Sequence, residues 1–425
     1  MGQFIVNGGN KLKGRIAPSG NKNEALPVLA AVVLSEQPIT IHNIPNIGDI
    51  NSMRSILEGL GVSISFKGEC SYQFDASQLI SSAPDKRLSE SIRGSFLLIS
   101  PLLHRFKEAK IYIPGGDSIG RRRLDTHITA LEQLGAEITR DSDSFTAKAD
   151  RLKGCDILLD EASVMATENI VMAAVMAEGV TTLYNAACEP HVQGLCNMLN
   201  AMGANIQGIG SNRLIIEGMD SLGGCEHRIK PDHTEVGSFI GLAASTGSEI
   251  IIEKPDIDNL GLILPYFNIL GVHTERVGDD LFVPADQELI IRNDIDQSIP
   301  KIDDAPWPGF PADLTSIMTV VSTQCQGTVL IFEKMFESRL FWVDGLIRMG
   351  AKIILCDPHR AVVVGPARLK GCTLTSPDIR AGMALLIAAL CAEGTSEIQN
   401  IQQIDRGYAR IDERLIALGA DIQRV

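Results

Sequence analysis

The chain has 425 residues, 45% of them hydrophobic, and a formal net charge of −14. This length predicts two domains of about 200 residues each rather than a single core. The acidic balance argues against a nucleic-acid partner, because such proteins carry an excess of basic residues. No apolar run reaches the ~18 residues of a membrane span, and residues 1–14 lack a signal-peptide core, so we expect a cytoplasmic protein with no membrane partner.

Motifs that would bring a metal or a nucleotide-hydrolysing loop are missing from the sequence. The nine cysteines form no C-x-x-C pair, and neither H-E-x-x-H nor G-x-x-x-x-G-K-[ST] occurs. We therefore predict no metal or other cofactor, and no hydrolysis of ATP.

In chain order, the first clear pattern is a phrase that occurs six times. An amphipathic helical pattern runs into Leu or Met, then Gly, then a small residue and a β-type residue, at intervals of about 70 residues. Each glycine should take the left-handed conformation that ends a helix, with a strand directly after it. The six are Gly61, Gly135, Gly203, Gly271, Gly350 and Gly419.

An Ala-rich apolar segment that leads into a β-rich one precedes these phrases, as in residues 25–44 and 384–401. A helix that is apolar on every side is typical of the inside of a domain. The sequence thus predicts an α/β fold of six helix–strand–helix–strand units, three in each of two domains.

The domain boundaries follow from the polar segment 223–233, which is suited to a linker, and from the first ~20 residues, which read as a β-hairpin. We predict one domain over residues 21–230 and a second made of residues 1–20 and 231–425. A cleft between two such domains is the usual place for a ligand, so we expect the active site there.

Two loops carry basic residues near predicted helix starts. Lys22 beside helix amides would hold a carboxylate or phosphate, although a helix capped by Asn23 explains the same residues structurally. The glycine-rich loop 114–123 surrounds Asp117, and the arginines after it are predicted to open a helix. Because cations oppose the helix dipole there, an anionic ligand is favoured over a solvated charge run. The arginines are Arg121, Arg122 and Arg123.

Four further loops hold polar residues at predicted helix starts. Ser163 and Thr167 can cap a helix or offer its amides to a diphosphate, and Asp313 follows a proline-rich loop where it can also be a cap. The remaining polar positions are Asp378, Arg380, Asp405, Arg406 and Arg410.

Seven segments together resemble the UDP-N-acetylglucosamine 1-carboxyvinyltransferase family of enolpyruvyl transferases. They are SGNKNEALPVLAAVVL, IPGGDSIGRRRLDTHI, SVMATENIVMAAVMAEG, PDHTEVGSFIGLAA, PWPGFPADL, FESR and IDRGYARIDERLIALGADI. The resemblance implies two inside-out α/β barrel domains, each of three repeated units with buried central helices in pseudo-threefold arrangement. That expectation agrees with the six repeats.

The resemblance also implies a reaction. The 3-hydroxyl of UDP-N-acetylglucosamine attacks C2 of phosphoenolpyruvate while C3 gains a proton, and the tetrahedral adduct then loses phosphate. This is the first committed step of peptidoglycan precursor synthesis. The implied catalytic residues are Lys22, Arg406, Asp313 as candidate base, and Asp117 in the place of a loop cysteine that acts as general acid.

The resemblance assigns substrate-binding positions as well. Asn23 would contact both substrates, Arg93 the nucleotide side, and Met335 the sugar. Arg122 would bind phosphoenolpyruvate, and the stretch 122–126 the uridine. Ser163 and Val164 would contact the diphosphate, and Asp378 and Arg380 the pyruvyl group. The full implied set is Asn23, Arg93, Arg122, Arg123, Leu124, Asp125, Thr126, Ser163, Val164, Met335, Asp378 and Arg380.

Several positions depart from the family pattern. Arg123 replaces a proline and Met165 a glycine on the nucleotide side, and Trp342 replaces a histidine. They leave open an enolpyruvyl transferase of specialised metabolism with another nucleotide or sugar acceptor, and a non-catalytic UDP-sugar-binding paralogue. Because fosfomycin reacts with the family's thiolate, Asp117 implies an enzyme insensitive to it.

Overall fold

The computed structural model describes residues 2–116, 120 and 122–425, and the chain divides into two compact units. The first unit holds residues 20–116 and 122–230, and the second holds residues 2–19, 120 and 231–425. Apart from the segment that contains residue 120, the chain passes from one unit to the other at residues 19/20 and 230/231. The sequence predicts boundaries at 20/21 and 230/231.

The described residues form 23 strands and 14 α-helices. The strands are β1 (Gln3–Asn7), β2 (Lys13–Ile16), β3 (Ile39–His42), β4 (Ser63–Gly68), β5 (Ser71–Asp75), β6 (Glu108–Tyr112), β7 (Glu137–Arg140), β8 (Ser144–Lys148), β9 (Asp156–Leu158), β10 (Val180–Tyr184), β11 (Asn205–Gln207), β12 (Arg213–Glu217), β13 (Glu226–Arg228), β14 (Glu249–Ile252), β15 (Glu275–Val277), β16 (Asp280–Val283), β17 (Lys301–Asp303), β18 (Gly327–Phe332), β19 (Lys352–Asp357), β20 (Arg360–Gly365), β21 (Thr373–Thr375), β22 (Thr395–Gln399) and β23 (Asp421–Arg424).

The helices are α1 (Lys22–Ala31), α2 (Gly48–Gly59), α3 (Lys86–Ser91), α4 (Ile99–Phe106), α5 (Asp125–Gln133), α6 (Val164–Ala174), α7 (Pro190–Ala201), α8 (His233–Thr246), α9 (Ile263–Ile269), α10 (Thr315–Gln324), α11 (Val343–Arg348), α12 (Ile379–Cys391), α13 (Gln402–Asp405) and α14 (Ile411–Ala417). Short 3-10 helices cover Val32–Leu34, Arg93–Leu98, Ile257–Asn259 and Ala312–Leu314. Within the described ranges, none of these helices combines the length and apolarity needed to cross a bilayer.

The strands form six separate sheets, three in each unit. In the first unit the strand orders are β13-β3-β5-β4, β6-β8-β7 and β11-β12-β10-β9. In the second unit they are β15-β16-β14-β2, β17-β18-β20-β19 and β21-β22-β1-β23. The three-fold repetition within each unit confirms the predicted α/β architecture, although no hydrogen-bonded barrel closes among the described strands.

The predicted buried helices are confirmed. In the second unit α8, α10 and α12 contact one another, and each packs against a different sheet. Twelve consecutive residues of α12, from Ile379 to Leu390, are buried. Helices α1 and α6 carry the same kind of apolar sequence in the first unit. Helices at the centre and sheets on the outside are the arrangement that the Ala-rich phrases predict.

All six repeat glycines have the predicted conformation. Their φ angles lie between 77° and 104°, and each stands just after a helix and before a strand. Glycine is favoured there because a side chain resists positive φ. The repeat phrase therefore marks six equivalent helix ends.

Two local predictions are wrong. Strands β1 and β2 do not form a hairpin: β1 lies between β22 and β23, while β2 pairs in parallel with β14. The segment 223–233 is not a simple linker either, since β13 pairs with β3 and Asp232 caps α8. The helix–strand–helix–strand unit also missed the strands β5, β8, β12, β16 and β20. Each of them runs antiparallel to the strand that follows one of the first five repeat glycines.

Candidate active site

Lys22 is the first residue of α1 and is almost buried. Its Nζ lies 3.3 Å from Oδ2 of Asp49, which the first turn of α2 supplies. The helix is capped by Asn21, whose Oδ1 accepts from the amides of Asn23 and Glu24 at 2.8 and 3.2 Å. The prediction of Asn23 as the cap is therefore wrong, because the helix begins at Lys22 and its cap is Asn21.

Arg93 and Arg122 lie close together in the first unit. Nη2 of Arg93 donates to the carbonyl of Arg122 at 2.7 Å and to that of Arg123 at 3.3 Å. Burial, together with the charge of Arg122, lowers the pKa of Arg93 to about 10. A half-buried guanidinium beside a second cation is favourable when an anion binds both.

Arg122 and Arg123 do not open a helix, which corrects the prediction for these two residues. Helix α5 begins at Asp125, so an acidic residue occupies its first turn, as the helix dipole favours. Arg123 reaches Asp125 at 3.4 Å and Asp160 at 3.1 Å, while Oγ1 of Thr126 donates to Asp160 at 2.7 Å. Leu124 is half-buried at the helix start. The dipole argument for an anion therefore fails, since carboxylates already balance Arg123.

Ser163 caps α6, and Val164 is the first residue of that helix. Oγ of Ser163 accepts from the amide of Ala166 at 3.4 Å. Thr167 does not cap; its hydroxyl donates to the carbonyl of Ser163 and accepts from the amide of Ala187. The predicted capping role of Ser163 is confirmed, and a diphosphate at this helix end stays a prediction.

In the second unit, Asp313 is held by two buried arginines. Oδ1 accepts from Nη2 of Arg339 at 2.7 Å, and Oδ2 accepts from Nε and Nη2 of Arg380 at 3.0 and 2.8 Å. Asp313 lies in the 3-10 turn before α10, whose start has no side-chain cap, so the capping alternative is wrong. The arginines orient the carboxylate and supply positive charge beside it.

Asp378 caps α12, and this places Arg380, in the first turn of that helix, beside Asp313. Oδ1 of Asp378 accepts from the amides of Arg380 and Ala381 at 2.8 and 2.9 Å. Burial would lower the pKa of Arg380, but Asp313, Tyr408 and Asp232 together outweigh it and hold that pKa above the usual value. The guanidinium also lies 5.5 Å above the ring of Tyr408.

Met335 and Arg406 occupy two other parts of the second unit. Met335 is exposed, and its amide donates to Oδ2 of Asp304 at 3.1 Å. Arg406 ends α13, and its Nη1 donates to Oε1 of Gln403 at 2.9 Å. Asp117 and Arg121 lie outside the described residues.

Five functional candidates were missed by the sequence reading: Asp49, Asp160, Glu333, Arg339 and His127. Asp49, Asp160 and Arg339 touch predicted site residues from other segments, and Glu333 approaches Arg339. Burial, and then the charge of Arg93, lower the pKa of His127 to about 3, so this ring is neutral. Only the FESR motif signalled one of them, because it contains Arg339. Among the described residues, no three His, Cys, Asp or Glu side chains are grouped as metal ligands would be.

Chemically, the first unit presents cations suited to phosphate or carboxylate, and the second presents an oriented carboxylate among guanidinium groups. A family model described as EPSP synthase (3-phosphoshikimate 1-carboxyvinyltransferase) matches residues 6–415. A relative from Bradyrhizobium diazoefficiens, called UDP-N-acetylglucosamine 1-carboxyvinyltransferase, is 53% identical over 423 residues, which cover 100% of this chain and 98% of the relative. A relative of the same name from Bacteroides thetaiotaomicron is 53% identical over 434 residues, with 100% of both covered.

Solved structures show the same fold. The enolpyruvyl transferase NikO from Streptomyces tendae has a TM-score of 0.89 at 23% identity, with 100% of this chain and 99% of that chain covered. EPSP synthase from Acinetobacter baumannii has a TM-score of 0.74 at 17% identity, with 100% of both covered. The match of the family model to nearly the whole chain, with relatives at 53% identity, means that this chain belongs to the EPSP synthase family of enolpyruvyl transferases.

Proposed function

We propose that the chain transfers the enolpyruvyl group of phosphoenolpyruvate to the 3-hydroxyl of UDP-N-acetylglucosamine and releases phosphate. The observation that carries this proposal is the 53% identity, over the whole chain, with relatives that bear the name of this activity. A role in peptidoglycan precursor synthesis and a cytoplasmic location are part of the same proposal.

The cations of the first unit support the binding of two anionic substrates. Lys22 has an almost buried ammonium group, and Arg93 and Arg122 form a close cationic pair. We assign Lys22 and Arg122 to phosphoenolpyruvate, and Arg93 to the nucleotide side. Fixed cations that meet the charge developing on a departing phosphate lower the barrier to elimination.

Asp313 is suited to act as the base that takes the proton of the sugar 3-hydroxyl. An ionised and oriented carboxylate can accept the hydroxyl proton as oxygen attacks C2 of phosphoenolpyruvate. The two arginines weaken its basicity as long as both remain bound. A substrate carboxylate that paired with Arg380 would loosen this hold, so the base would become stronger when the substrate is present.

Phosphate release by the purified protein tests the proposal. With phosphoenolpyruvate and UDP-N-acetylglucosamine, and with a chelator present, we expect turnover and a product that contains the enolpyruvyl ether. Acceptor panels should include UMP, other UDP-sugars and 3-phosphoshikimate. Turnover only with one of these would reassign the acceptor and leave the reaction class intact.

A second candidate is a specialised enolpyruvyl transferase with another nucleotide acceptor. It is motivated by Met165, which occupies the helix end capped by Ser163, where the family pattern has glycine. Binding of UDP-N-acetylglucosamine without turnover of any acceptor would instead support the non-catalytic paralogue.

A further inference from the structure

Glu333 is a fully buried carboxyl group that the proposed mechanism does not use. It follows β18, and its exposed fraction is 0%. Its backbone is tied to the turn between β19 and β20: its amide donates to the carbonyl of His359 at 2.8 Å, and Nδ1 of His359 lies 2.7 Å from its own carbonyl oxygen. These backbone hydrogen bonds, just after β18, therefore fix the side chain of Glu333 in the protein interior.

The charged neighbours of Glu333 come from several elements. Asp304, just after β17, is fully buried and accepts from the amides of Lys334 and Met335. Arg339 approaches from the segment after β18, and Thr315 from the first turn of α10. The ammonium group of Lys334 turns away to Asp303 at 2.9 Å.

Arg339 is hydrogen-bonded to Asp313 and also lies close to Glu333. Its Nη2 holds Asp313, while its Nε and Nη1 are buried and have no hydrogen-bond partner among the described residues. Neither carboxyl oxygen of Glu333 has such a partner in the same part of the chain. Two open donors thus lie near two open acceptors, which is a costly arrangement if both groups carry full charge and remain apart.

We propose that Glu333 is a positioning residue, which stays a neutral acid while the enzyme works and so leaves Arg339 to hold Asp313. Once Glu333 loses its proton, it competes with Asp313 for Arg339 and disturbs the base. This inference rests on the proposed role of Asp313.

The local charge supports the neutral form. Asp313 and Asp378 already act on the guanidinium of Arg339, and Asp313 and Asp232 on that of Arg380, while Asp304 lies beside Glu333 itself, so a further carboxylate would give an excess of negative charge. Burial, opposed by Arg339 and assisted by Asp304, raises the pKa of Glu333 to about 9. The group therefore ionises only in the alkaline range, in which enzyme assays remain practical.

The test compares pH profiles of Glu333→Gln and the unmutated protein from pH 6 to 10, with phosphoenolpyruvate saturating and UDP-N-acetylglucosamine varied up to saturation. In the unmutated protein kcat should fall above about pH 9 while KM for the sugar nucleotide stays constant. Glu333→Gln, which cannot ionise, should keep at least about a third of kcat at neutral pH and lose this alkaline fall. Glu288→Gln, at an exposed carboxyl of the same unit, is the matched control and should keep the fall.

Thermal unfolding gives a readout that does not need turnover. Because the pKa of Glu333 is raised in the folded protein, its contribution to stability is full below its unfolded pKa and is lost as pH rises toward about 9. The Tm of Glu333→Gln should therefore gain on that of the unmutated protein between pH 5 and 9. An unchanged alkaline limb in Glu333→Gln, or a Tm difference independent of pH, overturns the inference. Absence of turnover with a pH-dependent Tm difference would instead remove the proposed function alone.

Discussion

At the scale of single residues, the hydrogen bonds from Arg339 and Arg380 to Asp313 affect both the stability of the protein and the proposed catalysis. Three hydrogen bonds of 2.7 to 3.0 Å orient the carboxylate, and the same carboxylate balances two guanidinium groups that are only 5% and 4% exposed. A buried cation that loses its partner is strongly destabilising. Substitution of Asp313 therefore has two effects, which an experiment must separate.

Asp313→Asn should lower kcat by at least about 100-fold, because a general base typically contributes that much. It should also lower Tm, since both arginines lose their counter-ion. Asp280→Asn is the matched control: that carboxylate has similar exposure, 20% against 26%, and an arginine partner of its own, Arg15. Steady-state kinetics beside thermal unfolding should show loss of kcat only in the first variant. Full activity of Asp313→Asn would contradict the assignment of the base.

Asp117 allows a prediction from chemistry alone. A carboxylate is a much weaker nucleophile toward an epoxide than a thiolate, so fosfomycin should not inactivate the unmutated protein. Asp117→Cys should remain active and become sensitive, whereas Asp117→Asn, which cannot donate an acidic proton, should lose most turnover. Residual activity after incubation with fosfomycin, followed over time, checks all three proteins. Time-dependent inactivation of the unmutated protein would rule out this role for Asp117.

The sequence predicted site residues that lie within recognisable motifs and missed those that complete them from elsewhere. Lys22 and Asp313 stand in such motifs, and their positions at helix starts follow from local sequence. Asp49 and Asp160 gain their roles only when another segment folds against them. Nothing local marks a carboxyl group as the future partner of a distant cation, which is why the acidic partners were not foreseen.

At the scale of elements, the repeat glycines show two reasons why a side chain would be unfavourable: backbone strain and steric overlap. Gly203 has a φ of 104°, and a Cβ there would meet nothing within 4 Å. Gly61 has a φ of 99°, but its Cβ would lie 2.5 Å from the carbonyl oxygen of Gln78. Both glycines belong to the first unit, so the pair distinguishes backbone strain from steric overlap.

Gly203→Ala should lower the free energy of unfolding by about 1–2 kcal/mol, the cost of left-handed backbone for a residue with Cβ. Gly61→Ala should cost more, because the backbone around Gln78 must also move. Gly59→Ala, at the end of α2 with open space around it, should be neutral or stabilise by up to about 1 kcal/mol. Urea denaturation midpoints give the order. An equal cost at Gly61 and Gly203 would show that the contact with Gln78 relaxes freely.

The failed hairpin shows the limit of local pattern. Residues 8–12 between β1 and β2 contain two glycines and an asparagine, which is typical of a turn. A Cβ on Gly8 would lie 2.2 Å from the carbonyl oxygen of Ala392, so the glycine serves close packing on α12 and its end. Each strand then pairs with segments more than 200 residues away, and no short-range signal encodes that choice.

At the scale of the molecule, the fold was predictable because it is repeated. Six similar phrases gave six independent chances to recognise one unit, and the buried helices followed from their uniform apolarity. The separation into six sheets was not predictable, since strands such as β5 and β20 lack a phrase of their own. Repetition thus conveyed the architecture, while the pairing of individual strands depended on the completed core.

The position of β1 between β22 and β23 also fixes an order of events during synthesis. Asn7 and Thr395, which meet in this sheet, are 388 residues apart. At roughly 5–20 residues per second, β1 waits about 20–80 s on the ribosome for its neighbours, with the side chains of Phe4 and Val6 unburied. The first unit contains every strand of its own sheets and can fold during that time. The nascent second unit therefore carries an unpaired apolar strand through most of translation, and we expect it to be the part of the protein that most needs a chaperone.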